Sequence, residues 1–506
     1  MQLNESGIAG NKETLAQKGW EIYGYDRSLM RESTRSNPQW VHFGAGNIAK
    51  AFVADIAEQL ISEGTLKSGM ILAGEFDKPL VENIYKSHDD LFINVTLCAD
   101  GSMKKKVCGS IAEADVLDKN GDMERLKEVF ASPSLQMASF TITEKGYVCD
   151  AAQPKTAPED AKTFMGKVAY LLYHRYQSGA YPIAFVSMDN CSHNGDKLRD
   201  AMLFYAKLWG DEGFRAYLED ENKVSFPWSM IDKITPGPDE SVAKMLKEDG
   251  FEDLAEHRTA RGSRIAPFVN AEETGYLVIE DAFPNGRPPL ENAGVVLCDR
   301  QTVDKTEKMK VCTCLNPLHT ALAVFGCLFD YEYIHDEMED EDLKKLVNVL
   351  GYEEGLPVVT DPGVISPRDF LDAVIKLRLP NPFMPDSPKR IATDTSQKIP
   401  IRFGHTVRAW RESPQKTEGL RAVPLVFAAY IVYLKGINDK GETFEQSPDP
   451  LLSELKDLTP KELLERTDVF GNDLFEDGLG DKVLAVFDEM SKGRGAVRNT
   501  LHNMLR

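Results

Sequence analysis

The sequence predicts an α/β domain built on a mostly parallel sheet, followed by a mostly α-helical domain. Before residue 303, short apolar runs typical of buried strands alternate with helical patterns, as expected for a sheet covered by helices on both faces. After residue 303, long helical patterns dominate and strand-like runs become rare. We therefore expect domains at 38–302 and 303–506, preceded by a polar, helical or irregular N-terminal extension over residues 1–37.

The first strand and helix of the α/β domain carry a nucleotide-binding pattern. An apolar run at 39–43 leads into Gly-Ala-Gly-Asn-Ile-Ala (44–49), which fits G-x-G-x-x-A and opens an amphipathic helix that ends near Gly64. The first glycine permits a tight turn, the second lets the backbone approach a pyrophosphate, and the small last residue allows close helix–strand packing. A strand before the motif and a helix after it are its required context. We expect a Rossmann-type dinucleotide-binding domain whose cofactor contacts include Gly44, Ala45, Gly46, Asn47 and Ile48.

The second strand bears on the choice of cofactor. An apolar run at 70–73 ends in Gly-Glu-Phe-Asp (74–77). Glu75 or Asp77 is suited to bonding the ribose hydroxyls and disfavouring a 2′-phosphate, although both residues also suit an ordinary turn. This favours NAD, and the neighbouring Lys78 keeps NADP open.

The remaining elements follow in order. The acidic run 336–342 is expected to be a solvated helix start. Further strands are expected at 92–97, 136–141 and 183–186, and the main C-terminal helices at 313–329, 340–349, 367–377 and 420–434.

Composition excludes several functional classes. The chain has 506 residues, of which 42% are hydrophobic and 27% charged, as in soluble globular proteins of two or three domains. A net charge of −21 argues against binding to nucleic acid or anionic membranes. No apolar run is long enough to span a membrane, and the N-terminus lacks the layout of a signal peptide. Eight cysteines without a C-x-x-C pair indicate a reduced, cytoplasmic, metal-independent protein.

The segment K-V-C-T-C-L-N-P-L-H (310–319) contains the strongest candidate for chemistry. Asn316 and His319 are three apart and share a face of a helix, and Lys310 precedes them by one to two turns. A lysine with a lowered pKa is a general base, an amide can donate to a developing oxyanion, and an imidazole can orient the substrate. The set suits interconversion of an alcohol and a carbonyl. The alternative is a surface lysine, a capping asparagine and a core histidine that occur together by chance.

The chain resembles the mannitol dehydrogenase family, which comprises long-chain polyol and sugar-acid dehydrogenases. The resemblance implies the two-domain fold inferred above and a metal-free active site. It rests on seven segments in family order: HFGAGNIAKAF (42–52), TITEKGY (141–147), MDNCSHNG (188–195), FPWSMIDKITP (226–236), EDAFPNGRPPLENAG (280–294), LNPLHTALA (315–323) and NPFMPDSPKRIATDTSQKIP (381–400).

The resemblance also implies residue roles. Two amides form the oxyanion hole, a lysine is the general base and a histidine positions the substrate oxygen. For the substrate-contacting residues the alternative role is salt bridging. By family position, the amides are Asn190 and Asn316, the histidine is His319, the substrate contacts are Asp232, Arg390 and Lys398, the proton-path gate is Glu144, and Thr143 lies at the cofactor.

The position of the lysine departs from the family pattern K-x-x-x-x-N-x-x-H. Val311 occupies the expected place, while Lys310 lies six residues before Asn316 and Lys308 eight. An undistorted helix would point Lys310 away from the face of Asn316, whereas one extra residue is what a π-bulge accommodates. We favour Lys310 as the base, which requires a widened helix between 310 and 316.

The substrate class is the least determined property. A basic cluster in an acidic chain (Lys389, Arg390, Lys398 and Arg402) favours an anionic sugar. We expect an NAD-dependent oxidoreductase acting on fructuronate/mannonate or tagaturonate/altronate, as a monomer or small homo-oligomer. The alternatives are a mannitol 2-dehydrogenase, which acts on mannitol/fructose, and a non-catalytic nucleotide-binding sensor, which the shifted lysine would favour.

Overall fold

The computed structural model describes residues 1–74, 78–149, 157–259 and 262–506 and divides into two units. The first unit comprises residues 1–98 and 102–304, and the second comprises residues 99–101 and 305–506. The strands named below belong to the first unit, whereas the elements of the second unit are helices. The predicted combination of an α/β fold with a helical C-terminal part is therefore confirmed.

The strands are numbered here in chain order. Within the described residues they are β1 Trp20–Ile22, β2 Trp40–Phe43, β3 Met70–Gly74, β4 Phe92–Leu97, β5 Met103–Cys108, β6 Ile111–Val116, β7 Met137–Phe140, β8 Ile183–Ser187, β9 Val224–Ser225, β10 Ser229–Asp232, β11 His257–Arg258, β12 Arg264–Ile265, β13 Phe268–Glu272, β14 Tyr276–Glu280 and β15 Val296–Cys298.

Six of these strands form one fully parallel sheet in the order β6-β3-β2-β7-β8-β9. Numbered within the sheet by chain order, this is 3-2-1-4-5-6, the doubly wound Rossmann arrangement. The direction in which successive strands are added to the sheet reverses between β2 and β7, so the residues that follow Phe43 and Phe140 lie at the switch point. In folds of this class, ligands bind at that edge.

The sheet is buried on both faces, which explains why its strands are apolar without interruption. Successive side chains alternate between two cores: Leu72 and Val186 pack on one face, and Ile71 and Phe185 on the other. Aromatic contacts reinforce the second core, where the rings of Phe43 and Phe140 stack with centroids 5.0 Å apart.

The expected strand at 92–97 belongs to a different sheet from the one that the alternation suggested. β4 pairs antiparallel with β5 and parallel with β13, in a four-stranded sheet of order β1-β5-β4-β13. The third strand of the parallel sheet is instead β6, whose sequence IAEADV carries two acids and does not read as a buried strand. Residues 1–37 contribute β1 to the second sheet and two helices to the unit.

The helices of the first unit connect and cover these strands. The α-helices are Glu5–Gln17, Arg27–Ser36, Asp55–Ser62, Lys78–Leu80, Met123–Ala131, Phe164–Gln177, Asn194–Trp209, Glu212–Glu219 and Glu240–Glu248; π-helices are Ala49–Ala54 and Val81–Tyr85, and 3₁₀ turns are Lys86–His88, Glu144–Tyr147, Pro158–Asp160 and Leu290–Ala293.

A helical stretch over Arg300–Phe329 leads into the second unit. It is long and apolar enough to cross a membrane, but 78% of its most apolar window is buried inside the protein, as in a core helix. Its parts and the helices that follow are Arg300–Met309, π Lys310–Cys314, Asn316–Phe329, Ile334–Glu337, Glu341–Asn348, π Val349–Gly355, 3₁₀ Leu356–Val358, Pro367–Ala373, π Val374–Arg378, Pro388–Ile391, Thr395–Arg402, Gly404–Glu412, 3₁₀ Thr417–Gly419, Ala422–Leu434, Leu452–Leu455, Pro460–Leu464, Thr467–Phe470, Leu479–Met490 and Ala496–Met504.

The acidic run 336–342 is only partly the solvated helix start that we expected. Asp340 caps the helix Glu341–Asn348 by accepting from the backbone N–H groups of Asp342 and Leu343. Glu337, by contrast, is fully buried, and burial raises its pKa well above the usual range of a carboxyl group. The side chain of Glu337 packs against Gly326, where the absence of a Cβ provides its space.

Candidate active site

The glycine loop begins directly after β2, at the switch point of the parallel sheet. Gly44 has φ +128°, a conformation that favours glycine, and its N–H donates to the carbonyl oxygen of Ala73 at 3.1 Å. A Cβ placed on Gly44 would lie 2.4 Å from the carbonyl oxygen of Thr141 on the neighbouring strand connection. The first glycine of the motif is therefore required by the fold itself.

Gly46 and Asn47 are different, because Gly46 borders open space and one side-chain atom of Asn47 has no partner in the described part of the chain. A Cβ placed on Gly46 would meet no atom within 4 Å. The amide nitrogen of Asn47 donates to the carbonyl oxygen of Arg264 at 3.1 Å, while its buried Oδ1 has no partner among the described residues. Helical structure starts at Asn47, and the first backbone N–H groups of a helix lack helical partners. The loop therefore has space for a pyrophosphate, and the Oδ1 of Asn47 can accept a hydrogen bond from a donor on the same ligand.

Two buried side chains support the loop, and sequence reasoning identified neither. The hydroxyl of Tyr85 donates to the carbonyl oxygen of Ala45 at 2.8 Å. Lys50 lies with its ammonium 5.6 Å from the centroid of the Tyr85 ring and donates to the carbonyl oxygen of Ala266. Burial lowers the pKa of Lys50 to about 7. These contacts hold the loop and the segment before β13 together.

The expected ribose contacts Glu75 and Asp77 lie outside the described residues. At the same edge of the sheet, β6 ends beside β3 and carries Asp115, which is 5% exposed. Burial, together with the carboxylates of Glu113 and Asp122, raises the pKa of Asp115 to about 8. An acid of this kind is neutral at pH 7 and able to donate a hydrogen bond.

The segment that carries Asn190 is fixed by its neighbour, Asp189. The buried carboxylate of Asp189 accepts from the N–H groups of Ile142 and Thr143, at 3.1 and 2.8 Å, and from the hydroxyl of Tyr147, at 2.7 Å. Burial raises the pKa of Asp189. The exposed Asn190 follows directly. Asp189 thereby joins the ends of β7 and β8, and it holds Thr143 in a positive-φ conformation, with φ 64°.

Asn194 connects the Asn190 segment to the strand that ends in Asp232. Its buried amide nitrogen donates to the carbonyl oxygens of Asp189 and Ser229, both at 3.0 Å, and its Oδ1 accepts from the N–H of Ser229. Asp232 is the last residue of β10 and is 5% exposed. Asn194 therefore joins the supports of two predicted site residues, Asn190 and Asp232.

Two further residues near these segments have surface or backbone partners. Lys233 donates from its ammonium to the carbonyl oxygen of Glu272 at 2.6 Å, which gives it a structural contact. Glu144 forms an ion pair with Lys197, and its side chain is 71% exposed. The role of Glu144 on a proton path remains a prediction.

The helix around Lys310 is widened, as the shifted position of the lysine requires. Residues Lys310–Cys314 form a π-helix, and the N–H of Leu315 donates to the carbonyl oxygen of Lys310, five residues earlier, at 3.1 Å. The predicted local widening is thus confirmed. Lys310 is buried at 3% exposure, whereas Lys308 is exposed.

Asn316 and His319 lie in the first turns of the helix that follows. Pro317, which has no backbone N–H, fits the first turn, where such groups lack helical partners. Burial lowers the pKa of His319 to about 4, assisted by the positive charges of Arg378, Arg402 and Arg390 and opposed by Asp386. His319 is therefore neutral at pH 7, with one ring nitrogen free to donate and the other to accept.

Two of the predicted basic residues, Arg390 and Lys398, have partners within the second unit. Arg390, at the end of a short helix, forms an ion pair with Asp386. Lys398 donates to the backbone carbonyl oxygens of Ile391, at 3.2 Å, and Thr393. Burial, followed by the charge of Arg402, lowers the pKa of Lys398.

Arg402 completes this arrangement on the side of His319. Its Nη1 donates at 2.6 Å to the hydroxyl of Thr320, which in turn donates to the carbonyl oxygen of Asn316 at 3.0 Å. The second unit therefore places Lys310, Asn316 and His319 on one helical stretch, and the charges of Arg378, Arg402 and Arg390 reach His319. Of these contacts, the sequence did not indicate Arg378, Asp386 or Thr320.

The parallel sheet with its glycine loop, and the Lys–Asn–His helix, define a nucleotide-dependent dehydrogenase with a helical second domain. The mannitol dehydrogenase Rossmann domain family matches residues 38–292, and the mannitol dehydrogenase C-terminal domain family matches residues 302–490. The chain belongs to the mannitol dehydrogenase family.

Relatives and solved structures agree with this assignment. A protein from Thermotoga maritima called D-mannonate oxidoreductase is 46% identical over 98% of both chains. A polyol:NADP oxidoreductase from Gluconobacter oxydans is 32% identical over 81% of this chain and 83% of its own. Among solved structures, D-sorbitol dehydrogenase has a TM-score of 0.82 at 27% identity, covering 97% of this chain and 99% of its own. The Pseudomonas fluorescens mannitol 2-dehydrogenase, in a ternary complex with NAD and D-mannitol, has a TM-score of 0.71 at 25% identity, covering 100% and 99%.

Proposed function

We propose that this enzyme is an NAD(H)-dependent oxidoreductase that interconverts D-mannonate and D-fructuronate. The observation that carries the proposal is the 46% identity, over 98% of both chains, to the protein called D-mannonate oxidoreductase. Oxidation of one secondary hydroxyl of the aldonate to a ketone releases a hydride and a proton. The basic residues around His319 suit a substrate with a carboxylate.

The glycine loop supports NAD as the cofactor. Gly46 leaves space at a helix start, and the Oδ1 of Asn47 has no partner in the part of the chain that the structure describes, so both are open to a bound dinucleotide. When bound, the nicotinamide supplies a hydride acceptor. The solved mannitol 2-dehydrogenase of similar fold holds NAD, whereas the name of the Gluconobacter relative specifies NADP, so both cofactors belong in the assay.

We assign the residues of each unit to the reaction as the family resemblance implies. In the second unit, the amine of Lys310 takes the hydroxyl proton during oxidation, the amide of Asn316 donates to the developing alkoxide, and neutral His319 holds the same oxygen. Arg390 and Lys398 contact the sugar. In the first unit, Asn190 supplies the other amide, and Asp232 accepts from substrate hydroxyls.

The decisive measurement is oxidation of NADH, followed by its absorbance, with D-fructuronate, D-tagaturonate and D-fructose as separate substrates. We expect the highest kcat/KM with fructuronate and a lower value with NADPH than with NADH. A preference for fructose over both acids would replace the proposal with mannitol 2-dehydrogenase activity, which the fold shared with the D-mannitol complex supports. Absence of turnover with all three ketoses would contradict both the proposed activity and the mannitol 2-dehydrogenase activity.

We also propose that the enzyme works in the cytoplasm as a monomer or small homo-oligomer. Its eight cysteines are all free thiols, as is usual in a reducing compartment.

A further inference from the structure

Three basic side chains that the sequence singled out, Arg390, Lys398 and Arg402, differ in how their charges are compensated. Arg390 forms an ion pair with Asp386, and its side chain is 63% exposed. The ammonium of Lys398 donates to the carbonyl oxygens of Ile391 and Thr393. A neutralised guanidinium and an ammonium already bonded to backbone are poor first choices for capturing an anion.

Arg402 has no such compensation. Its guanidinium is half-buried, and among the described residues its single hydrogen bond is the one from Nη1 to the hydroxyl of Thr320, at 2.6 Å. No carboxylate of the described chain pairs with it. Burial lowers the pKa of Arg402 to about 10, and no nearby carboxylate counters this effect. A charge held partly out of water without an opposite charge is unfavourable, and it is tolerated where a ligand supplies that charge.

The position of Arg402 relates it to the reacting groups. Thr320, which accepts from Arg402, lies one turn after Asn316 and donates to its carbonyl oxygen at 3.0 Å. The charge of Arg402 also acts on His319, whose pKa it lowers. The guanidinium therefore lies beside the first turn of the helix that carries both Asn316 and His319.

We infer that Arg402 binds the carboxylate of the sugar-acid substrate and thereby selects sugar acids over neutral ketoses. This assignment rests on the proposed function. The Nη1 edge is occupied by Thr320, which orients the planar group, and the Nε and Nη2 donors remain for a carboxylate. A guanidinium fork matches the two oxygens of a carboxylate, and an ammonium does not.

The test compares kcat and KM for D-fructuronate and D-fructose in Arg402→Met, Arg402→Lys and Thr320→Val. Arg402→Met should raise KM for fructuronate about ten- to a hundredfold, the usual value of a charge-assisted bond. Its kcat/KM for fructose should change less than about threefold. Arg402→Lys should give a smaller loss, again confined to the acid. The control Arg408→Met removes an exposed guanidinium that donates to the carbonyl oxygen of Gly471, and it should alter neither substrate.

Thr320→Val separates binding from support of the helix. If Arg402 served only to hold Thr320, this variant would reproduce Arg402→Met, and both would lose activity equally on the two ketoses. If Arg402→Met loses kcat/KM equally on fructuronate and fructose, the inference is overturned. The proposed function still stands in that case, provided that the wild-type enzyme turns over fructuronate. If Arg402→Met shows no cooperative thermal melt and is therefore unfolded, the same comparison of fructuronate with fructose is made in Arg402→Lys. A wild-type enzyme that does not reduce fructuronate would overturn the proposed function and the inference together.

Discussion

The N–H of Leu315 donates to the carbonyl oxygen of Lys310 at 3.1 Å, so this turn spans five residues instead of four. The wider turn absorbs the one extra residue between the lysine and Asn316 relative to the family pattern. It occurs at the segment where the sequence requires it for Lys310 to act with Asn316 and His319. π-turns are frequent at functional sites for this reason.

The first prediction concerns the base. Lys310→Ala should lower kcat by at least about a hundredfold, because loss of a general base costs about 10²–10⁴ in rate. Lys308→Ala, two residues earlier and exposed, is the matched control and should retain nearly full activity. Steady-state kinetics at saturating NADH and ketose measure both. Full activity in Lys310→Ala, or a large loss in Lys308→Ala, would exclude Lys310 as the base.

The two glycines of the cofactor loop should respond differently to substitution. Gly46→Val should abolish NADH binding without changing the thermal melt. The Cβ of the valine would meet no protein atom within 4 Å, but the side chain would occupy the space that we assign to the pyrophosphate. Gly44→Ala should lower the free energy of unfolding by more than about 1 kcal/mol, because its Cβ would lie 2.4 Å from the carbonyl oxygen of Thr141, at φ +128°. NADH fluorescence titration and calorimetry distinguish the two effects. Retained NADH affinity in a folded Gly46→Val protein would refute the cofactor assignment.

The acid limb of the pH profile should report the protonation of His319. Burial lowers the pKa of His319 to about 4; the charge of Arg390 contributes to this lowering, and the charge of Asp386 opposes it. Arg390→Ala should therefore move the pKa of His319 up towards its ordinary value of 6.5, so that activity is lost at a higher pH on acidification. Asp386→Asn should move it in the opposite direction. Profiles of kcat/KM between about pH 3 and 8 measure the shift. Identical acid limbs in both variants would show that His319 does not control this limb.

The buried acid Asp115 should make stability depend on pH. Its pKa is raised from 3.8 to about 8 in the folded protein, so the unfolded chain loses this proton first as pH rises. The contribution of Asp115 to the free energy of unfolding should thus fall between about pH 4 and 8. Asp115→Asn, which cannot ionise, should raise Tm relative to wild type by more at pH 8 than at pH 5. Calorimetry at both values tests this, and an equal difference at the two pH values would contradict it.

Local patterns in the sequence predicted many of the elements. The strand before the glycine loop, the strand at 70–74 and the helix over 422–434 were expected within one or two residues of where they lie. The pairing of strands was harder to predict, because pairing depends on partners far along the chain. The alternating, acid-containing segment of β6 joins the parallel sheet, and the more apolar β4 joins another.

The sequence by itself determined the dinucleotide motif and the need for a widened helix, because each is carried by spacing within a short segment. It also determined the family, through the order of seven such segments along the chain. Only the tertiary structure decided which charges are compensated. Asp386 pairs with Arg390 four residues later, and both charges act on His319 from a segment remote in sequence. Arg402 donates to Thr320, 82 residues earlier, and faces no carboxylate of the described chain. Charge compensation depends on distances between side chains, and those distances are set by the packing of helices that are remote in sequence.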